Sequence, residues 1–388
     1  MLKISNLLLT LLVIVFSLTA CKNTPEPIDT INRNAIVDSA ITAFEKKLLA
    51  SQIDSIFKKY NFNGSVGVFK DSVQLYQKEN GFSNFENKTK INNNTIFAIG
   101  SVSKQFTAVL ILLQAEQGQL NTEDKVSKYL KEFQTKEYEN ITIHQLLNHT
   151  SGLNMFGGRL LFKSGTGFFY SNDGFNALGK IVEKVTGKTY DENVLQLFSK
   201  TGMSNSSTGT SFNGNGKNFA SAYLGTEKNA EKVPNMPKRL GGKEIGTPAG
   251  GILSTIQDLQ IWNHALYGGK IIKPETLNRF ISKSSERQHA VFGKMGYGYG
   301  IMMNIGKPVS YFHSGYIKGS PSLNIYYPET KTSVIILSNI ADESKGKNSI
   351  FKPHIEIKKA TDAIENTVID LKKEMINTVP ENSTKLLP

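Results

Sequence analysis

The sequence predicts an α+β protein: one antiparallel sheet formed from both chain ends, flanked by helices, with a mostly helical subdomain inserted between the two sets of strands. Three observations lead there. Short β-type runs stand near the start of the chain and again after about Tyr297. Between them, several stretches repeat apolar residues with a helical period. The gaps between the late β-type runs are too short for the crossovers that parallel strands require, so these strands run antiparallel.

Taken from the N-terminus, the first element is a targeting signal. Met1-Leu2-Lys3 gives a short positive region, and Leu7 to Leu18 is an apolar run of signal-peptide length. A spanning helix needs ~20 apolar residues, more than this run supplies. Leu18-Thr19-Ala20-Cys21 resembles the lipobox of bacterial lipoproteins, which implies that Cys21 is lipidated and becomes the mature N-terminus. The next residues, to about Asp38, are polar, carry Pro25 and Pro27, and read as a tether. The boundaries expected are a signal peptide at 1–20, a tether at 21–38, a folded domain at 39–377 and a loose tail at 378–388.

A helix is predicted from Ser39 to Tyr60. A hairpin follows, from Gly64 to Phe69 and Val73 to Tyr76, across the turn Lys70-Asp71-Ser72. Gln105 to Gln117 is the clearest helix: Phe106, Val109, Leu110 and Leu113 form one buried stripe, and Gly118 stands where a terminating glycine belongs. Further helices are expected over Ile143 to His149 with Thr142 as its cap, Asp173 to Val185 stopping at Gly187, Glu192 to Lys200, and Thr255 to Tyr267 ahead of Gly268 and Gly269. Pro274 suits the first turn of another. Strands are read at Tyr299 to Met303, Val309 to Phe312, Leu323 to Tyr327 and Ser333 to Leu337, and a last helix, from about Glu356 to Met375, lies on the sheet.

Composition narrows the chemistry. Cys21 is the only cysteine among 388 residues. No disulfide can form within the chain, and the folded domain has no thiolate for nucleophilic attack or for a zinc or iron–sulfur site. A hydrophobic share of 39% is enough for a packed core. The formal charge is +12, but the lysines are spread along the chain without a long basic run. That pattern fits a solvated surface, or attraction to anionic lipid headgroups or an acidic cell-wall polymer. No nucleic-acid partner is expected. There is no H-E-x-x-H, the six histidines (His144, His149, His264, His289, His313, His354) are scattered, and the paired glycines at 241–242 and 250–251 lack the Lys-Ser/Thr of a phosphate loop. Neither a metal nor a cofactor is expected.

The sharpest chemical feature is Ser101-Val102-Ser103-Lys104 at the start of the Gln105 helix. Residues three apart there share a face, with Cβ atoms ~5–6 Å apart, so the Lys104 amine reaches the Ser101 hydroxyl. A serine hydroxyl is a weak nucleophile until a base takes its proton. The helix N-terminus adds N–H groups and a positive dipole end that favour developing negative charge. Alone, S-x-x-K is equally a helix cap followed by a solvated lysine. Tyr170-Ser171-Asn172 stands just before another helix, and residues two apart in an extended segment point the same way, so phenol and carboxamide face one site. His313-Ser314-Gly315 ends a predicted strand, where a glycine permits close approach of a substrate backbone.

S-x-x-K, Y-x-N and a basic residue followed by x-G, in that order, resemble the penicillin-recognising serine hydrolases: class C β-lactamases, DD-peptidases and related esterases and amidases. Leu146-Leu147-Asn148-His149-Thr150-Ser151-Gly152-Leu153, Thr247-Pro248-Ala249-Gly250-Gly251 and Tyr297-Gly298-Tyr299-Gly300 are similar to further segments of that group. The resemblance spans about residues 50 to 340. It implies Ser101 as the acylated nucleophile, with Lys104 and Tyr170 sharing proton transfer and the identity of the base left open. It further implies Asn172 on the substrate amide, and an oxyanion hole from the backbone N–H of Ser101 and of Tyr316, which follows His313-Ser314-Gly315. One departure matters. Where most β-lactamases have Lys-Thr-Gly, this chain has His313-Ser314-Gly315, and histidine is a weaker, pH-dependent cation. The expectation is a hydrolase of the DD-peptidase, esterase or D-aminoacyl amidase kind, acting in the cell envelope on a small-molecule or peptidoglycan-type substrate and held at a membrane by a lipid on Cys21. The alternatives are a true β-lactamase and a non-catalytic binding protein. Substrate choice is assigned to rim loops at Gly157 to Thr166 and Thr208 to Gly246.

Overall fold

A computed structural model describes residues 30–234, 239–242, 245–344 and 346–377. The expected signal peptide, Cys21, the first part of the tether and the tail from 378 lie outside the described residues. Contacts divide the chain into two units, Met1–Ala43 and Phe44–Pro388. The described part of the first is the opening of helix α1 (Thr30–Tyr60). This helix starts nine residues before the expected Ser39, so the second half of the supposed tether is helical: after Pro27 no proline interrupts the run. The sheet, the other helices and the site belong to the second unit.

Eight strands form one sheet. They are β1 (Gly64–Lys70), β2 (Val73–Asn80), β3 (Ser285–His289), β4 (Gly293–Tyr297), β5 (Met302–Asn304), β6 (Ser310–Ile317), β7 (Ser320–Tyr327) and β8 (Thr332–Ser338). Their order is β3-β4-β5-β6-β7-β8-β1-β2, with every neighbouring pair antiparallel. The sheet is therefore built from both chain ends, as the β-type runs predict. Gly64 lies opposite Ser338 and Lys70 opposite Thr332. β7 and β8 are buried at every position and β1 at all but its last, so both faces of these central strands are covered, polar residues such as Ser322 and Asn324 included. The C-terminal strands begin at Ser285, earlier than the expected Tyr297. The reason is compositional: Ser285-Glu286-Arg287-Gln288-His289 is a polar strand at the sheet's edge, and no apolar run announces it.

Between the strand sets lie α2 (Lys104–Glu116), α3 (Ile143–Leu147), α4 (Asn172–Thr186), α5 (Tyr190–Thr201), α6 (Ile256–Tyr267) and α7 (Pro274–Ile281). α8 (Lys352–Asn377) closes the described chain. α2 departs from the expected single stripe. Ala108, Ile111 and Leu112 are as buried as Phe106 and Val109, so it is enclosed on all sides at the centre of the core. α3 stops at Leu147 rather than His149, because His149 takes a left-handed conformation (φ +63°) that a helix cannot continue. α4 ends where Gly187 turns left-handed and its N–H reaches Glu183 O at 2.9 Å.

Candidate active site

Ser101 sits in a 3₁₀ turn, Gly100–Ser103, that leads directly into α2. Two glycines let this turn lie against β6. Gly100 has φ +52°, and a Cβ there would stand 2.7 Å from Tyr316 N. A Cβ on Gly315 would stand 1.9 Å from Ile99 O, an overlap that excludes any side chain. Ser322 Oγ, on β7, donates to Ile99 O at 2.7 Å. On the other side, Ile252 N–H donates to Ser103 Oγ at 3.1 Å. The Phe97–Ala98 segment pairs with Ile252–Ser254, so the approach to Ser101 is fixed from both directions.

Lys104, the first residue of α2, is fully buried. Its Nζ lies 3.3 Å from Ser101 Oγ, donates to Asn172 Oδ1 at 2.8 Å and donates to Ala249 O at 2.6 Å. No carboxylate pairs with it among the described residues. Burial, reinforced by the nearby Arg287 guanidinium, holds its pKa well below the usual lysine range. Ala249 belongs to the Thr247-Pro248-Ala249-Gly250-Gly251 segment, one of those similar to the resembled group. Its short helical turn, Thr247–Gly250, supplies the carbonyl that holds the amine.

Tyr170 and Asn172 flank Ser171, which caps α4: its Oγ accepts from Gly174 N–H at 2.9 Å. The cap fixes the start of the helix and with it both neighbours. Asn172 spends its oxygen on Lys104, while its Nδ2 donates to no described residue and is exposed. The Tyr170 hydroxyl is buried close to Ser101 without a hydrogen bond of ordinary geometry. Burial pushes its pKa up to about 12, against the opposing pull of Ser101 and Arg287. The phenol is therefore protonated at neutral pH.

His313 lies in the middle of β6, not at a strand end, and is 1% exposed. Burial, with Lys104 next, drives its pKa well below the ordinary imidazole value. The pH-dependent cation expected at this position is thus a neutral ring. The cation facing the site is Arg287, on β3, which sequence reasoning missed. Its Cζ lies 4.3 Å from the centroid of the Tyr170 ring. No carboxylate pairs with it among the described residues. No motif or apolar pattern in Ser285-Glu286-Arg287-Gln288-His289 marks it in the sequence. Ser101, Tyr170, Arg287, His313 and Tyr316 line one cleft of about 540 Å³, whose far wall carries Val291, Ile350 and Phe351. The structure thus brings Ser101, Lys104, Tyr170, Asn172, His313, Gly315 and Tyr316 together; Cys21 lies outside the described residues. Among those residues, no group of three or more His, Cys, Asp or Glu side chains is placed to hold a metal ion.

The sequence pattern of the family described as Beta-lactamase matches residues 49–351. Penicillin-binding protein 4* of Bacillus subtilis (strain 168) is 27% identical, over 86% of this chain and 81% of its own. The octameric penicillin-binding protein homologue from Pyrococcus abyssi has 26% identity and a TM-score of 0.65, covering 79% of this chain and 76% of that one. The D-alanine carboxypeptidase AmpC from Burkholderia cenocepacia shares the fold at a TM-score of 0.67 and 20% identity, covering 82% of this chain and 99% of that one. Matched by the family pattern over most of its length and folded like these structures, the chain belongs to the beta-lactamase family and is by type a hydrolase.

Proposed function

We propose that this protein is a serine hydrolase that forms an acyl-enzyme on Ser101 and cleaves an amide, peptide or ester bearing a carboxylate. The observation that carries this reading is the Lys104 amine: buried, without an acidic partner, and 3.3 Å from Ser101 Oγ. An uncharged amine has two N–H donors and one lone pair. Asn172 Oδ1 and Ala249 O take the donors, which leaves the lone pair for the Ser101 proton. Lys104 is then the base, since Tyr170 is held protonated.

In acylation, Ser101 Oγ–H passes its proton to Lys104 Nζ as Oγ bonds to the substrate carbonyl carbon. The carbonyl electron pair moves onto oxygen, which sits between the backbone N–H groups of Ser101 and Tyr316. Collapse breaks the bond to the leaving group, which takes the Tyr170 proton, and Lys104 restores it. Water repeats the sequence on the ester and frees Ser101. Asn172 Nδ2 faces the substrate amide, and Arg287 supplies the positive charge that neutral His313 does not. The leader and Cys21 support an exported, lipid-anchored enzyme acting on a peptidoglycan-type substrate. Among the described residues no helix is long and apolar enough to cross a membrane.

The test is intact-mass spectrometry after brief exposure to a fluorophosphonate or to benzylpenicillin. The expected result is phosphonylation of Ser101, lost in Ser101→Ala. A penicilloyl adduct on the same residue indicates a peptidase-like enzyme. With neither adduct nor hydrolysed penicillin, ester and D-aminoacyl amide substrates are the next assay. A folded protein that no fluorophosphonate labels overturns the assignment.

A further inference from the structure

Three buried side chains, of which His313 borders the cleft, join motifs that the mechanism above leaves without a role. His149 and Tyr297 are 0% exposed and His313 is 1% exposed. Tyr297 Oη lies 3.2 Å from His149 Nε2 and 3.0 Å from His313 Nε2. The outer ring nitrogens end on backbone groups. Ser171 N–H donates to His149 Nδ1 at 3.1 Å, and His313 Nδ1 lies 2.7 Å from Ser314 O.

These end groups settle every proton. A backbone N–H only donates, so His149 Nδ1 is bare and the ring proton is on Nε2. A carbonyl oxygen only accepts, so His313 carries its proton on Nδ1 and its Nε2 is bare. The Tyr297 hydroxyl between them accepts from His149 Nε2–H and donates to His313 Nε2. Hydrogen bonding therefore runs one way from Ser171 N–H to Ser314 O, and each member is satisfied. Protonating either ring would break the chain. Burial opposes a further positive charge on either ring; Lys104 whenever it is charged, Arg287, His289 on His313 and His313 on His149 act the same way, and only the Ser314 carbonyl, on His313, acts against them.

We propose that His149, Tyr297 and His313 are positioning residues, a single directed hydrogen-bond chain that locks the Tyr170–Asn172 segment to β6 across the cleft. Its first anchor, Ser171, stands between Tyr170 and Asn172. Its last, Ser314, stands two residues before Tyr316. The His149 ring also packs on Tyr170, with centroids 4.4 Å apart, and so fixes the phenol directly. His149 holds a left-handed backbone that a β-carbon disfavours, which turns its ring inward from the end of α3. None of the three needs to touch the substrate's reacting atoms.

The inference rests on the serine-hydrolase reading for its effect on rate, but not for its geometry, and two measurements separate them. In ¹⁵N-histidine-labelled full-length protein, ¹H–¹⁵N correlation is expected to show His149 as the Nε2–H tautomer and His313 as the Nδ1–H tautomer, both unchanged from about pH 5.5 to 8. Any other pair of tautomers, or titration of either ring in that range, overturns the chain whether or not the protein is active. In Tyr297→Phe, the rate of Ser101 phosphonylation is expected to fall about 10- to 100-fold, the size of effect that loss of positioning gives. His149→Gln, which keeps an acceptor and a donor, is expected to retain more of that rate than His149→Leu. A folded Tyr297→Phe that labels at the wild-type rate overturns the positioning role. If the wild-type protein does not label at all, the hydrolase reading fails, and the chain stands or falls on the tautomers.

Discussion

At Arg287 a guanidinium stacks on the Tyr170 ring and faces the cleft, with no carboxylate paired to it among the described residues; Glu343, which also lines the cleft, accepts from the Tyr316 hydroxyl. It is expected to bind a substrate carboxylate. Arg287→Gln should slow acylation by benzylpenicillin about 10- to 100-fold, the worth of a charge-assisted hydrogen bond, and change acylation by an uncharged ester little. Equal slowing of both would mean that Arg287 acts through Lys104 and Tyr170 instead. Arg287 was not legible in the sequence, whereas Ser101, Lys104, Tyr170 and Asn172 were. Ser101 with Lys104, and Tyr170 with Asn172, each stand at a short, fixed spacing by a helix start, and the order of the two motifs resembles a known family; the meeting of the pairs, Lys104 Nζ on Asn172 Oδ1, is itself long-range. Arg287 meets Tyr170 from a distant part of the chain, on a polar strand that carries no such motif, and that contact is long-range information. Burial explains the other residue-level correction: a histidine inside a central strand is a neutral hydrogen-bonding ring.

Among the elements, strands with apolar faces and helices with sharp stops were readable, since hydrophobic period and Gly187-type endings are local. The polar strand β3 and the early start of α1 were not. Elements also carry charge into the interior. Glu45 on α1, Lys70 at the end of β1 and Glu365 on α8 meet there; Lys70 pairs with Glu45, and Thr330 donates to Glu365. Glu365 is 2% exposed, and burial, with the Glu45 charge adding, raises its pKa to about 7. Between its ordinary value of 4.5 and about 7, the folded chain keeps a proton that the unfolded chain releases, so stability falls as pH rises through that window. Glu365→Gln is expected to raise stability at pH 8 by up to about 3 kcal/mol and to change it little at pH 4.5. Urea unfolding at the two pH values checks this. A loss at pH 8 would mean that Glu365 is held as an anion by Lys70.

Across the whole molecule, β8 lies between β7 and β1, so the last strand made completes a sheet whose first strand was made long before. Ending the chain at Lys331 removes β8 and uncovers two strands that have no other partner on that side. Such a truncation is expected to lose cooperative urea unfolding, and a retained two-state transition would refute this. The overall layout was legible because both ends of the sequence carry β-type runs, but the neighbour order was not, since any strand of one set fits the periodicity of the other.

The same order has a consequence in time. As the chain leaves the ribosome, β1 waits with one ladder of backbone groups unpaired until Thr332–Ser338 arrives. The domain cannot close while it is being synthesised, and contacts of such sequence separation form slowly. For the exported chain that we propose, late closure would keep the polypeptide threadable during its passage.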